Sequence, residues 1–210
     1  TIAPELDHAI EAISILHSLG VNVALGHTDA NAEETVLAIA AGAKVVTHFY
    51  SCMRPISHRV STLALESLYN PGIFLEFILD GSHIQKKAIQ LLLDVAQDRL
   101  IAVTDAISAA GMPDGEYSLG RHKVYKCMGG VRLQDGTLAG STLCMDQAFK
   151  NLVNVLGLSL EQASLRVSSF AAQHLGILDR GVLQKNAFAD CVILNQDLEL
   201  QETLLQGSKI

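Results

Sequence analysis

His27 and His48 stand 21 residues apart, and each follows a short apolar run, residues 21–25 before the first and 44–47 before the second. Asp105 follows a third such run, residues 100–104. If the runs are neighbouring parallel strands, their axes lie about 4.8 Å apart, and two imidazoles at consecutive strand ends can converge on one metal ion. A carboxylate two strands further along can face that ion. Two histidines with a carboxylate that is not tied to the metal make a set for metal-assisted hydrolysis: the ion acidifies a bound water and the carboxylate moves the proton. The plainer reading of any one such histidine is a loop residue or a satisfied core group, so it is the shared placement that carries the argument. His58 shows no such placement; His8, His17 and His174 read as helix-surface residues and His122 as a loop residue. Glu5, Asp29 and Glu76 read as solvated or capping residues.

The elements that must position these residues repeat one unit. Apolar positions Ile10, Ile13, Leu16 and Leu19 make a helical stripe within residues 7–19, closed by Gly20. Strand 21–25, helix 32–41, strand 44–47, helix 63–69, strand 73–79, helix 84–97 and strand 100–104 follow. Helices alternating with short continuous apolar strands imply a parallel sheet covered by helices. His27, His48, His83 and Asp105 fall at the C-terminal ends of its strands, where β/α barrels build active sites. Four strands are half of an eight-stranded barrel and leave two sheet edges open. Beyond them, residues 117–133 read as short β-strands with a turn at Asp135-Gly136, residues 149–156 and 160–175 as helical, and residues 181–194 as strand again.

Composition narrows the class. The 210 residues are 49% hydrophobic, with four prolines and a net charge of −7, which argues against a nucleic-acid surface, where affinity rests on neutralising phosphates. Cys52, Cys127, Cys144 and Cys191 are scattered, with no Cys-x-x-Cys pair, as suits a reducing, cytoplasmic setting. No uncharged stretch is long enough to span a bilayer, so no membrane partner is expected. The chain opens on Thr1 rather than Met, which points to a preceding segment.

Thr1-Ile2-Ala3-Pro4-Glu5, Gly26-His27-Thr28, Thr47-His48, Asp80-Gly81-Ser82-His83, Val103-Thr104-Asp105-Ala106 and Leu138-Ala139-Gly140-Ser141, in this order and spacing, resemble N-acetylglucosamine-6-phosphate deacetylases of the amidohydrolase superfamily. The run Ala109-Ala110-Gly111-Met112-Pro113-Asp114-Gly115 is similar to the N-acetylgalactosamine branch. The resemblance implies an α/β chain: the C-terminal half of a (β/α)8 TIM-like barrel plus part of a small β-sandwich. Residues 1–175 would be the partial barrel, with an inserted β-hairpin near 117–136, and residues 176–210 strands of the accessory sandwich. It implies hydrolysis of the acetamide of an N-acetylhexosamine 6-phosphate to the amino sugar phosphate and acetate. His27 and His48 would bind a divalent metal (zinc, or iron or manganese), and Asp105 would be base and then acid. Arg59 would pair with the phosphate, a task suited to a guanidinium fork. Ser51, Cys52, Leu138, Ala139 and Gly140 would line the sugar, and Asp80, Gly81, Ser82 and His83 would complete the substrate site. His83 would reach the phosphate of a neighbouring subunit in a homodimer.

Departures from the family pattern keep other readings open. The family's third metal ligand, a Glu in a Glu-Gly-Pro context, is not in this sequence and is expected before Thr1. Ser51-Cys52 stand where Asn-Ala is usual, Val60-Ser61-Thr62 follow Arg59 in place of Glu-Pro-Gly, Asn186 stands for a Gly, and Ala171 for a Pro. The alternatives are another amidohydrolase-superfamily hydrolase, or a catalytically inactive fragment of such an enzyme.

Overall fold

The computed structural model describes residues 1–210. Its centre is a parallel sheet of β1 (Val23–Leu25), β2 (Ala43–Val46), β3 (Phe74–Ile78) and β4 (Leu100–Val103), in the spatial order β1-β2-β3-β4. Helix α1 (Ala9–Ser18) precedes the sheet, and α2 (Ala32–Ala40), α3 (Leu63–Tyr69) and α4 (Lys86–Ala96) connect successive strands. This is the alternation read from the apolar runs, with bounds moved by one or two residues. Period-two alternation decides the faces. Leu75 and Phe77 enter a 23-residue core with Ile13, Leu63, Leu68 and Leu92, while Glu76 takes the other face of β3, with Ile78, which packs on Leu143 and Ala148. Helix α2 starts at a capping box: Asn31 Oδ1 accepts from the Glu34 amide, and the Glu34 carboxylate accepts from the Asn31 amide. It ends before Gly42, at φ 115°, where a Cβ would stand 2.3 Å from the His17 ring. Glycine lets α1 and α2 meet there. His17 and His8 are exposed on or beside α1, as expected.

Outside β1, Ile2 bridges Leu25 in parallel; its amide donates to the Ala24 carbonyl at 2.9 Å, and its carbonyl accepts from Gly26 at 3.3 Å. After β4 comes an antiparallel meander of β5 (Gly115–Leu119), β6 (His122–Cys127) and β7 (Gly130–Leu133), three strands where the pattern suggested a hairpin. Its small core is Val124 and Val131 with Ala109 and Ala139. His122 opens β6, opposite Leu119, so it is a strand residue and not a loop residue; the two residues between form the turn.

Helix α5 (Met145–Asn154) begins four residues before the expected segment. The helix expected over 160–175 is three pieces: α6 (Leu160–Ser164), a π-helical turn (Leu165–Ser169) and α7 (Phe170–Leu175). The turn seats Arg166, 4% exposed, whose guanidinium donates to the Gln162 and Gln97 carbonyls at 2.7 and 2.9 Å. His174 does not lie on the helix surface. It is half-buried, its ring centroid is 5.4 Å from that of Phe74, and burial lowers its pKa. Of residues 181–194 only β8 (Cys191–Leu194) is strand; it pairs with β9 (Leu200–Leu205), which pairs with β10 (Ser208–Lys209). Gly181 and Asn186, both at positive φ, turn the stretch before it. No residue after Phe170 is buried. No helix is long and apolar enough to cross a membrane.

Candidate active site

His27, His48, Asp80 and Asp105 each stand two residues beyond the last residue of β1, β2, β3 and β4 respectively. His27, His48 and Asp105 have φ of 50°, 31° and 50°. Non-glycine residues enter this left-handed region at a cost of about 1–3 kcal/mol each, and such residues cluster at functional sites. Nε2 of His48 lies 2.8 Å from Nε2 of His27, with ring centroids 4.6 Å apart. His48 is buried and His27 exposed. Burial, and then the neighbouring His27, lower the His48 pKa, and the Asp105 charge opposes this.

A neutral imidazole is the form that ligates a metal. Two convergent Nε2 atoms, one on a ring kept neutral by burial, therefore fit as two ligands of a divalent cation. A separation of 2.8 Å is a hydrogen-bond distance, and nitrogens about 2.0–2.1 Å from one tetrahedral zinc would spread to about 3.3 Å. No cluster of three or more His, Cys, Asp or Glu suited to a metal forms anywhere in the chain. The donor set is thus two imidazoles, with His48 Nδ1 buried and without a hydrogen-bond partner.

The strand-end loops beside the pair are tied together. The Thr28 amide donates to the Cys52 carbonyl at 2.9 Å. The Glu5 carboxylate accepts from the Thr28 hydroxyl and, at 2.7 Å, from the Asp29 amide. Burial alone would raise the Glu5 pKa, but these bonds outweigh it and lower it. Arg54 forks onto the Asp29 carboxylate through two N–H groups, which lowers the Asp29 pKa. Glu5, His27, Thr28, Asp29, Cys52 and Arg54 are among the lining of an open cavity of about 590 Å³. Cys52, a predicted substrate residue, shares this cavity with His27. Ser51 lies next to it, its amide donating to the His48 carbonyl at 2.9 Å. Arg59 is not in the lining; it is exposed, with Nε donating to His58 Nε2 at 3.2 Å and no carboxylate partner. Arg54 was not singled out from the sequence; its place six residues after His48, in the same strand-end loop, was the available signal.

At the end of β3, Asp80 Oδ1 accepts from the Ser82 and His83 amides at 2.8 and 3.0 Å, and Oδ2 from His83 Nδ1 at 2.7 Å. Burial would raise the Asp80 pKa, yet the bonds from His83 and Ser82 hold it at about 2. The His83 side chain is 7% exposed, so Asp80 fixes its ring. Glu76 corrects an expectation. It is neither freely solvated nor a cap but a half-buried carboxylate. Burial raises its pKa, the His48 backbone opposes this, and Asp105 adds to it. Its place opposite Leu75 and Phe77 in the β3 alternation was the signal for it. Leu138, Ala139 and Gly140 lead into Ser141, which bridges Ala106 in parallel and bonds the Asp105 carbonyl and the Ile107 amide on either side of it.

Parallel strands with polar residues gathered at their C-terminal ends define an α/β chain of the kind that builds active sites from strand-end loops. No protein-family model matches the chain. N-acetylglucosamine-6-phosphate deacetylase of Vibrio furnissii is 38% identical over 207 residues, covering 98% of this chain and 52% of that protein. N-acetylgalactosamine-6-phosphate deacetylase of Escherichia coli O157:H7 is 37% identical over 207 residues, covering 98% of this chain and 55% of that protein. A variant N-acetyl-D-glucosamine-6-phosphate deacetylase of Mycobacterium smegmatis, solved in complex with N-acetyl-D-glucosamine-6-phosphate, superposes with a TM-score of 0.95 at 36% identity, over 99% of this chain and 56% of that one. Over its whole length, then, the chain is similar to N-acetylglucosamine- and N-acetylgalactosamine-6-phosphate deacetylases, and its α/β fold matches their C-terminal part. It spans about half the length of the curated relatives it matches.

Proposed function

We propose that this chain supplies the proton-transfer group and two metal ligands for deacetylation of an N-acetylhexosamine 6-phosphate in the cytoplasm, residues 1–175 serving as half of a barrel and residues 176–210 as part of a small β-sandwich. The observation that carries the reading is the convergence of His27 and His48 beside Asp105 at one end of the sheet. His27 and His48 would hold a divalent cation, with zinc, iron and manganese all served by imidazole; such an ion polarises the acetamide carbonyl and acidifies the attacking water. Asp105 takes the proton from that water. It then delivers the proton to the nitrogen as the C–N bond breaks, so that acetate and the free amino sugar phosphate leave. Arg59, exposed and without a carboxylate partner, pairs with the phosphate. His83, its ring set by Asp80, serves the neighbouring site of a homodimer. Ser51, Cys52 and the 138–140 backbone line the sugar.

One observation favours a second reading for the chain by itself. Catalytic zinc sites normally use three protein ligands, and here no third joins the two imidazoles; alone, the chain should hold metal weakly and be silent. Both readings are tested by assaying acetate release from the gluco and galacto substrates. The chain is used alone and mixed with the remaining half of the Vibrio furnissii relative, with and without zinc. The mixture should release acetate. Asp105→Asn should lower its rate by at least about 10²-fold with zinc content unchanged. A complex that forms yet releases no acetate from either sugar phosphate, or an Asn variant keeping more than about a tenth of the rate, overturns the proposal.

A further inference from the structure

We propose that Ser141 is a positioning residue for Asp105, an inference that rests on the proton-transfer role given to Asp105 above. Nothing holds the Asp105 side chain directly: it is exposed and its carboxylate has no hydrogen bond or ion pair. The backbone, at φ 50°, therefore decides where its side chain leaves the main chain. Ser141 fixes the backbone from both sides. Its amide donates to the Asp105 carbonyl at 2.8 Å, its carbonyl accepts from the Ile107 amide at 3.0 Å, and its hydroxyl donates to the Thr104 carbonyl. The same Oγ accepts from the Leu143 amide at 3.0 Å, so the hydroxyl is itself oriented. Ser141 is 2% exposed, and water does not compete for these bonds. Gly140 makes the close approach possible. At φ 69°, a Cβ there would lie 2.5 Å from Ile107 Cγ2 and 3.1 Å from the Asp105 carbonyl oxygen. A group that must meet a water and then a leaving nitrogen works only within a narrow range of positions, and one buried hydroxyl keeps Asp105 inside it.

The bland alternative is that Ser141 merely stabilises the loop. Two readouts separate the cases. The first is the strong intraresidue amide–Hα NOE that left-handed φ gives Asp105, measured by NMR on the full chain. The second is the split between kcat and KM in the acetate assay. Ser141→Ala should weaken that NOE and lower kcat at least 10-fold with KM changed less than about 2-fold, the pattern of a lost transition-state contribution. Ser141→Thr, which keeps the hydroxyl, should restore the NOE. Gly140→Ala should weaken the same NOE and be partly rescued in it by Ile107→Ala. An unchanged Asp105 NOE in folded Ser141→Ala overturns the inference, as does a kcat loss no larger than the loss of folded protein. If the parent mixture releases no acetate but Ser141→Ala still shifts the NOE, the proposed function falls and the backbone clamp stands.

Discussion

A histidine or an aspartate at positive φ is uncommon, and His27, His48 and Asp105 all adopt it two residues past a strand. Asp80 occupies the corresponding place after β3 but leaves the positive φ to Gly81, and its carboxylate is spent on His83, Ser82 and the turn between them. That spending has a pH signature. The Asp80 pKa falls from 3.8 to about 2 on folding, so its charged form stabilises the folded state. The contribution is complete above about pH 4 and is lost as pH falls from there through about 2; a shift of this size is worth about 2 kcal/mol. Asp80→Asn should therefore flatten the acid limb of stability. Urea unfolding at steps between about pH 2 and 6 would show it, and parallel losses in parent and variant would count against it. His27, His48 and Asp105 were legible because an apolar run followed by a polar residue marks a strand end. Ser141 and the half-burial of His174 were not, because both depend on which distant backbone comes to lie beside them.

Helix α3 shows how one side chain can finish an element that has no cap of its own. Thr62 makes no side-chain cap at its start. Towards its end Arg99 donates to the carbonyls of Ser67 at 3.3 Å, Leu68 at 2.7 Å and Ile73 at 2.6 Å. The cation meets the carbonyls that a helix terminus leaves free, and it ties α3 to the turn before β3 from the residue next to β4. Arg99→Met keeps the apolar stem but strands these acceptors, and should cost about 2–3 kcal/mol; Arg99→Lys, with a single ammonium, should fall between. Urea unfolding decides it, and a loss below about 0.5 kcal/mol would show that water replaces the guanidinium. At this scale the four strands and their connecting helices were readable from period and punctuation. The break in the last helix was not, since nothing local in Leu165–Ser169 marks a π turn, and the Arg166 guanidinium within it bonds the distant Gln97 carbonyl.

Order in the whole molecule is concentrated near its middle. The main core of 23 residues runs from Ile13 to Ala163, the meander has its own four-residue core, and the sheet of β8, β9 and β10 contains no buried residue. Alternating helices and strands foretold the first of these parts. Nothing in the local pattern of residues 181–194 said how little of that stretch would pair, because an exposed strand is selected by its partner and not by its own periodicity. A three-stranded sheet without a core is at the edge of independent stability. Its bonds are largely internal: the Arg180–Asp190 ion pair, the Gly207 amide on the Ala189 carbonyl at 2.9 Å and the Gln206 amide on Asp190 at 2.8 Å join this stretch to itself, while the Ser169 hydroxyl, donating to the Gly181 carbonyl, links it to the helical segment before it. In the language of hydrogen exchange, the protein should behave as two clocks. Amides of β3 and β4 should open only with the whole chain, while those of β9 should exchange through a sub-global opening that leaves the parallel sheet intact. Exchange followed residue by residue across a denaturant series would record both rates, and equal opening free energies for Phe77 and Leu204 would mean that the last forty residues belong to the same cooperative unit as the rest.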